Sequence, residues 1–196
     1  MAEPLASAEV RWFLAGRLPG EVAAWFVAAD ATNEPERRVD RYLRLPGAEG
    51  VGAKLRDGRF ELKARTCAPT PLQFTPNVAG LADGWVKRSF ADAELGARLL
   101  ALTDAPDWID VAKARATRTL GPDPDGAAGA TLELAELRIE GAAWWSLALE
   151  TFGTAAPDFA LLEAAAKLAF AEPPPLGLAL AGSAAYPAWL GRFAGP

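Results

Sequence analysis

The sequence contains no histidine and a single cysteine, Cys67, in 196 residues. The first absence removes Ser-His-Asp and Cys-His catalysis, histidine general bases and most zinc sites. The second rules out an internal disulfide and agrees with a reducing compartment. Cys67 itself reads as a small buried residue or a strand-end thiol. No apolar run approaches the length of a membrane span. The opening residues, MAEPLASAEV, have neither a basic nor an apolar leader region, so a cytoplasmic protein without membrane association is expected. Basic residues are in deficit: the net charge is −5 and the pI near 4.9. That argues against non-specific nucleic-acid binding and leaves room for a local basic pocket.

What is present is an ordinary globular composition, 51% hydrophobic and 23% charged, at a length that suits one domain over residues 1–196. The organising stretch is Val51–Arg65, VGAKLRDGRFELKAR. Alternating runs on either side of Asp57-Gly58 are a strong β-hairpin signal. A two-residue turn there sets Arg56 opposite Arg59, Leu55 opposite Phe60, Lys54 opposite Glu61 and Ala53 opposite Leu62. One face is then apolar, and the other carries Lys54, Arg56, Arg59, Lys63 and Arg65 against Glu61 alone. Like charges facing each other weaken a ladder, so this face is either solvated or occupied by something anionic.

Around the hairpin, Ala8–Leu14 and Arg37–Leu45 read as strands, the second with Arg38, Asp40 and Tyr42 on one face. Pro19 opens a helix with Val22, Trp25, Phe26 and Ala29 as its apolar stripe. Ala68–Leu81, with Pro69, Pro71 and Pro76, reads as an excursion over the surface rather than a central strand. Trp85–Phe90 is a short strand, Asp92–Leu102 a helix and Trp108–Leu120 a long alternating strand. Gly121–Gly129 is a loop, and Thr131–Glu140 and Ala143–Phe152 form a second hairpin turning at Gly141. Pro157–Ala171 is a helix, and the tail through Tyr186–Leu190 is apolar enough to pack back on the body. About eight neighbouring antiparallel strands with a few helices make a barrel or a sandwich.

Lys-x-Arg recurs three times, at Lys54/Arg56, Lys63/Arg65 and Lys113/Arg115, and period two puts both members of each pair on one side. Arginine forks and lysine point charges together suit clustered phosphate oxygens. On patterning alone the plainer reading is a wet outer face, which three repeats of one spacing weaken without overturning. Glu9, Glu61, Glu133 and Glu150 sit mid-strand where they can face those cations. Hard carboxylate oxygens could hold magnesium there, or simply pair with the cations.

The pieces RVDRYL, VGAKLRDGRFELKAR, VAKARATRTL and WWSLALETFG, in that order, resemble the CYTH domain of the triphosphate tunnel metalloenzymes, and a divergent bacterial branch of it most of all. The resemblance covers about residues 8–153, leaving 154–196 as a C-terminal helix and tail. It implies an α+β fold built on an eight-stranded antiparallel barrel whose charged faces line a tunnel. By the same resemblance, Lys54, Arg56, Lys63, Arg65, Lys113 and Arg115 would grip phosphate. Glu9 and Glu150 would serve as catalytic metal ligands with Glu133 as a third, and Mg or Mn would assist hydrolysis of a triphosphate. Asp40 and Tyr42 would shape one mouth. Two departures qualify this. Glu9-x-Arg11-x-Phe13 stands where the family has Glu-x-Glu-x-Lys, and Ala148-x-Glu150 where it has Glu-x-Glu. Losing carboxylates while keeping cations lowers metal affinity more than phosphate affinity. The expectation is therefore a binder of a polyphosphate-containing or other polyanionic small ligand, with metal-dependent hydrolysis as its extension. A protein–protein interaction or structural domain is the alternative.

Overall fold

The computed structural model describes residues 4–28, 34–56, 58–91, 98, 108–121 and 128–193. Alternating side chains build nine strands among them: β1 (Leu5–Ala15), β2 (Glu36–Leu43), β3 (Val51–Arg56), β4 (Arg59–Arg65), β5 (Thr70–Thr75), β6 (Val78–Phe90), β7 (Trp108–Leu120), β8 (Gly129–Ile139) and β9 (Ala142–Phe152). Eight of them close into an antiparallel barrel in the order β1-β9-β8-β7-β2-β3-β4-β6, with β6 returning to β1. The ninth, β5, lies outside the ring against β6. This is the α+β barrel expected; the sandwich alternative is not formed.

The β3–β4 hairpin has the register that its alternation dictates, from Val51↔Ala64 to Arg56↔Arg59, and Gly58 takes the left-handed φ of +71° that the turn needs. Between β8 and β9, Glu140 and Gly141 have consecutive positive φ values of 48° and 80°, as a tight hairpin turn requires.

One segment differs from expectation. Residues 68–81 are not a surface excursion: they hold β5 and the first third of β6, a strand of 13 residues rather than the short Trp85–Phe90. Proline is tolerated because Pro71 sits on β5, an edge strand outside the ring, where a missing N–H breaks no ladder. Gly80 lets β6 pass beneath β1, since a Cβ there would stand 2.5 Å from Val10 and 2.7 Å from Trp12. The helix expected over Asp92–Leu102 lies outside the described residues apart from Arg98, as does Ala29 of the first apolar stripe.

The apolar core lies mainly on the outside of the barrel wall. Helix α1 (Gly20–Ala28) packs Val22, Trp25 and Phe26 there. Helix α2 (Phe159–Ala169), capped by Asp158 accepting from the Leu161 amide at 2.9 Å, packs Leu162, Ala165 and Ala166. They cover Val10, Trp12, Leu132, Trp145, Leu147 and Leu149, all with at most 3% exposure. No described helix is long and apolar enough to cross a membrane.

A second apolar cluster fills one end of the barrel. It is completed by the short helix α3 (Tyr186–Leu190), whose Trp189 is fully buried and stacks on Phe13 with ring centroids 4.2 Å apart and planes 2° apart. Tyr186 stacks on Tyr42 at 5.0 Å and 6°. The tail thus packs back as expected, but into the barrel end rather than onto its outer surface. It turns a tunnel into a cup with an aromatic floor.

Candidate functional site

Strand alternation sends Glu9, Arg11 and Phe13 of β1 inward, and likewise Arg38, Asp40 and Tyr42 of β2, Lys54 and Arg56 of β3, Glu61 and Lys63 of β4, Lys113 and Arg115 of β7, Glu133 of β8 and Glu150 of β9. The cations therefore do not form a wet outer face. They meet carboxylates across the barrel, as burial of charge requires. Glu133 takes Arg11 at 2.7 Å and Arg115 at 3.4 Å. Glu61 takes Arg56 at 2.9 Å and Lys54 at 3.1 Å. Lys63 lies 2.6 Å from Glu9 and 3.2 Å from Glu150.

Asp40 does not shape a mouth. It is completely buried in the wall, 2.9 Å from Lys113, 3.1 Å from Arg38 and 3.3 Å from Lys54, and it accepts a hydrogen bond from the Tyr42 hydroxyl at 3.2 Å. Tyr42 OH in turn accepts from Lys113 at 2.6 Å. Asp40 is thus an internal counter-ion for three cations.

The balance between desolvation and pairing differs from group to group. Burial drives Lys113 down to about 8 despite Asp40 and Glu133 beside it. Burial pushes Glu133 up, but Arg11, Arg115 and Lys113 overcome it and hold the carboxyl down to about 2. Burial also opposes the charge on Lys63, yet Glu150 and Glu9 hold its pKa above the ordinary lysine value.

Inside this ring lies a cavity of about 160 Å³, lined by eight cations and four carboxylates together with Tyr42, Trp85 and Tyr186. That is smaller than the roughly 300–1,000 Å³ of clefts that bury a drug-sized ligand. A second hollow of about 260 Å³ shares Arg11, Lys87, Arg115, Glu133 and Glu150 with it and reaches the rim at Leu5 and Phe152. The two are continuous in lining, an inner chamber and a vestibule.

Five of the six cations predicted from Lys-x-Arg line the inner chamber: Lys54, Arg56, Lys63, Lys113 and Arg115. Arg65 does not. It turns to the buried Asp83 at 2.7 Å and lies over the Trp85 ring. Three further lining cations, Arg11, Arg38 and Lys87, were not among the residues expected to grip phosphate. The pairing Lys63↔Lys87 puts two lysines opposite each other on β4 and β6. Lys63 turns to Glu9 and Glu150, whereas Lys87 has no carboxylate oxygen within 4.0 Å among the described residues. Trp85 and Tyr186 each carry a buried donor, Nε1 and OH, without a hydrogen-bond partner among the described residues. The alternation Trp85-x-Lys87 was the available signal for this part of the wall.

Glu9, Glu133 and Glu150 all line the chamber, but they do not fit a divalent ion. Glu9 and Glu150 are direct partners on β1 and β9, and the Lys63 ammonium bridges them. Glu133 is committed to Arg11 and Arg115. Among the described residues no three Asp, Glu, Cys or His side chains group as metal ligands. Cys67 is exposed, just past the end of β4, which makes it the strand-end thiol of the two readings.

No protein-family model matches the sequence, and no curated protein matches it. Among solved structures, the chain is similar to a conserved hypothetical protein from Pyrococcus furiosus, at 13% identity over 89% of this chain and 94% of that one, with a TM-score of 0.45. It is similar also to a protein from Pyrococcus horikoshii, at 14% identity over 89% of this chain and 93% of that one, again with a TM-score of 0.45. The chemistry of the site rests on the chain's own geometry.

Proposed function

We propose that the protein binds a small polyanion, of the polyphosphate-containing kind, with its charged end in the barrel cup. The observation that carries this is the convergence of eight cations on one chamber, against four carboxylates in its lining and Asp40 and Glu36 behind it, in a chain whose net charge is −5. Lys87 is the sharpest part of it, because no carboxylate oxygen of the described residues lies within 4.0 Å of it and it acts on Glu61 only at longer range. The resemblance to triphosphate tunnel proteins supports the same reading. The vestibule gives room for a longer chain or an organic substituent. Low dielectric in the cup strengthens each contact relative to water.

Calorimetric titration with inorganic tripolyphosphate tests this, with Lys87→Ala in parallel. Lys87 makes no contact ion pair among the described residues and faces Lys63 across the ladder, so its removal relieves repulsion and the variant is expected to fold. Saturable binding that weakens with salt is expected in the wild type. The variant should bind about tenfold more weakly, the low end for a charge-assisted hydrogen bond of about 1.5 kcal/mol. Equal binding by both proteins, or none by either, would refute the proposal.

A further inference from the structure

Lys63 stands where a metal-assisted site needs its metal. Glu9 and Glu150 are paired across β1 and β9, so their two carboxylates repel unless a cation separates them. That cation is supplied from β4: the Lys63 ammonium sits 2.6 Å from Glu9 Oε2 and 3.2 Å from Glu150 Oε1, over the Trp85 ring at 5.5 Å. Its side chain is one-quarter exposed, that of Glu9 about one-tenth and that of Glu150 about two-fifths, so the Glu9 contact is the less screened of the two. The other carboxylates of the chamber are likewise committed, Glu133 to Arg11 and Arg115, Glu61 to Lys54 and Arg56. A magnesium ion demands near-octahedral oxygen ligation at about 2.0–2.1 Å. To bind between Glu9 and Glu150 it would have to displace an ammonium already hydrogen-bonded to both.

Resting on the anion-binding reading above, we infer that Lys63 is a built-in cation replacing a divalent metal, and that the cup takes its polyanion in the metal-free form. The charge compensation that an ion would bring with a triphosphate is already fixed to the wall. Divalent metal in solution then competes for the free ligand instead of helping it bind.

Two measurements test this, the first with no anion present. Mn²⁺ is titrated into wild-type protein, Lys63→Met and Lys63→Arg, followed by the electron paramagnetic resonance signal of the free ion. Lys63→Met keeps the length and removes the charge, which leaves Glu9 and Glu150 as an unshielded carboxylate pair. It should bind Mn²⁺ about tenfold or more tighter than the wild type, whereas Lys63→Arg should behave like the wild type. In the second, tripolyphosphate is titrated into the wild type in chelator and in excess Mg²⁺, and the apparent affinity should be equal or higher in chelator. Tight Mn²⁺ binding by the wild type that Glu9→Gln abolishes would overturn the inference, and so would tripolyphosphate binding that requires Mg²⁺. Absence of tripolyphosphate binding in both buffers would overturn the anion site instead. The Mn²⁺ measurement still decides the role of Lys63 in that event, and should Lys63→Met fail to fold, the wild-type titrations decide it alone.

Discussion

Replacing Trp189 by alanine should cost this protein about 3 kcal/mol of stability, a large share for a side chain in a five-residue helix outside the sheet. Trp189 is fully buried, stacks on Phe13 at 4.2 Å and meets Trp144, Tyr186 and Phe193 edge-on at 5.1–5.7 Å. A tryptophan buries about 150–250 Å², and at about 25 cal/mol per Å² the lower figure corresponds to about 4 kcal/mol. Its indole Nε1 has no hydrogen-bond partner among the described residues, so truncation forfeits packing alone and removes an unpaired buried donor, an offset of about 1 kcal/mol. For a chain of this size the difference corresponds to a fall in Tm of about 6–12 °C. Urea denaturation followed by far-UV circular dichroism measures it without relying on tryptophan fluorescence. Leu180→Ala, in the same tail but 42% exposed, should change stability by less than about 0.5 kcal/mol. Trp189→Phe keeps the stack on Phe13 and should lose less than half as much as the alanine variant. A loss below about 1 kcal/mol for Trp189→Ala, or one no larger than that of Leu180→Ala, would refute the idea that the tail is the barrel's floor.

Two other consequences concern the buried charges. Glu133 titrates near 4.5 when unfolded and at about 2 in the fold. Its stabilisation is therefore complete above pH 4.5 and lost as pH falls from there toward 2, an effect of about 3 kcal/mol. Glu133→Gln should remove that segment of the acid-denaturation curve, so that variant and wild type converge at the acid end; parallel curves would show that Glu133 does not carry it. Asp40→Asn should cost about 3–5 kcal/mol, because Lys113 is left buried without its counter-ion. Adding Lys113→Met should restore part of the loss in a double-mutant cycle, and no recovery would locate Asp40's contribution elsewhere.

Period-two alternation made much of this legible in advance. The β3–β4 register followed from Asp57-Gly58 between two alternating runs, and five inward cations followed from Lys-x-Arg on those strands and on β7. What failed to show has physical reasons. Pro69, Pro71 and Pro76 make residues 68–81 look like a loop, yet β6 begins at Val78, and its Gly80 and Gly84 mark close approaches, to Val10 and Trp12 in one case and to Thr66 and Cys67 in the other. Pro71 argues against a central strand, and the chain obeys that by placing it on the edge. Arg65 shares its pattern with Lys63, and only the presence of Asp83 on β6 decides that it turns away. Arg11 and Phe13 look like losses from a metal-binding motif; in space they are gains, one holding Glu133 and the other stacking on Trp189. No local pattern announces that Tyr186 and Trp189 end inside the barrel, since that depends on complementarity between the two ends of the folded chain.

The closing seam of the barrel has a consequence for how the molecule assembles. β1 and β6 are bonded only from Leu5↔Lys87 to Val10↔Ala82, after which they part. The tail latches the gap. The Ser183 hydroxyl accepts from the Leu81 amide at 2.9 Å and donates to the Arg11 carbonyl at 3.0 Å, a partner 172 positions away in sequence, and the Ala184 amide donates to the same carbonyl. A fragment ending at residue 153 would hold every described strand and the Leu5–Val10 seam to β6, but would lack the Ser183 bridge beyond that seam and the aromatic base. Contacts of such separation carry a high entropic cost of loop closure. The chamber therefore depends on the two ends of the chain meeting, since Tyr186, Pro187 and Leu190 complete a lining otherwise built by strands.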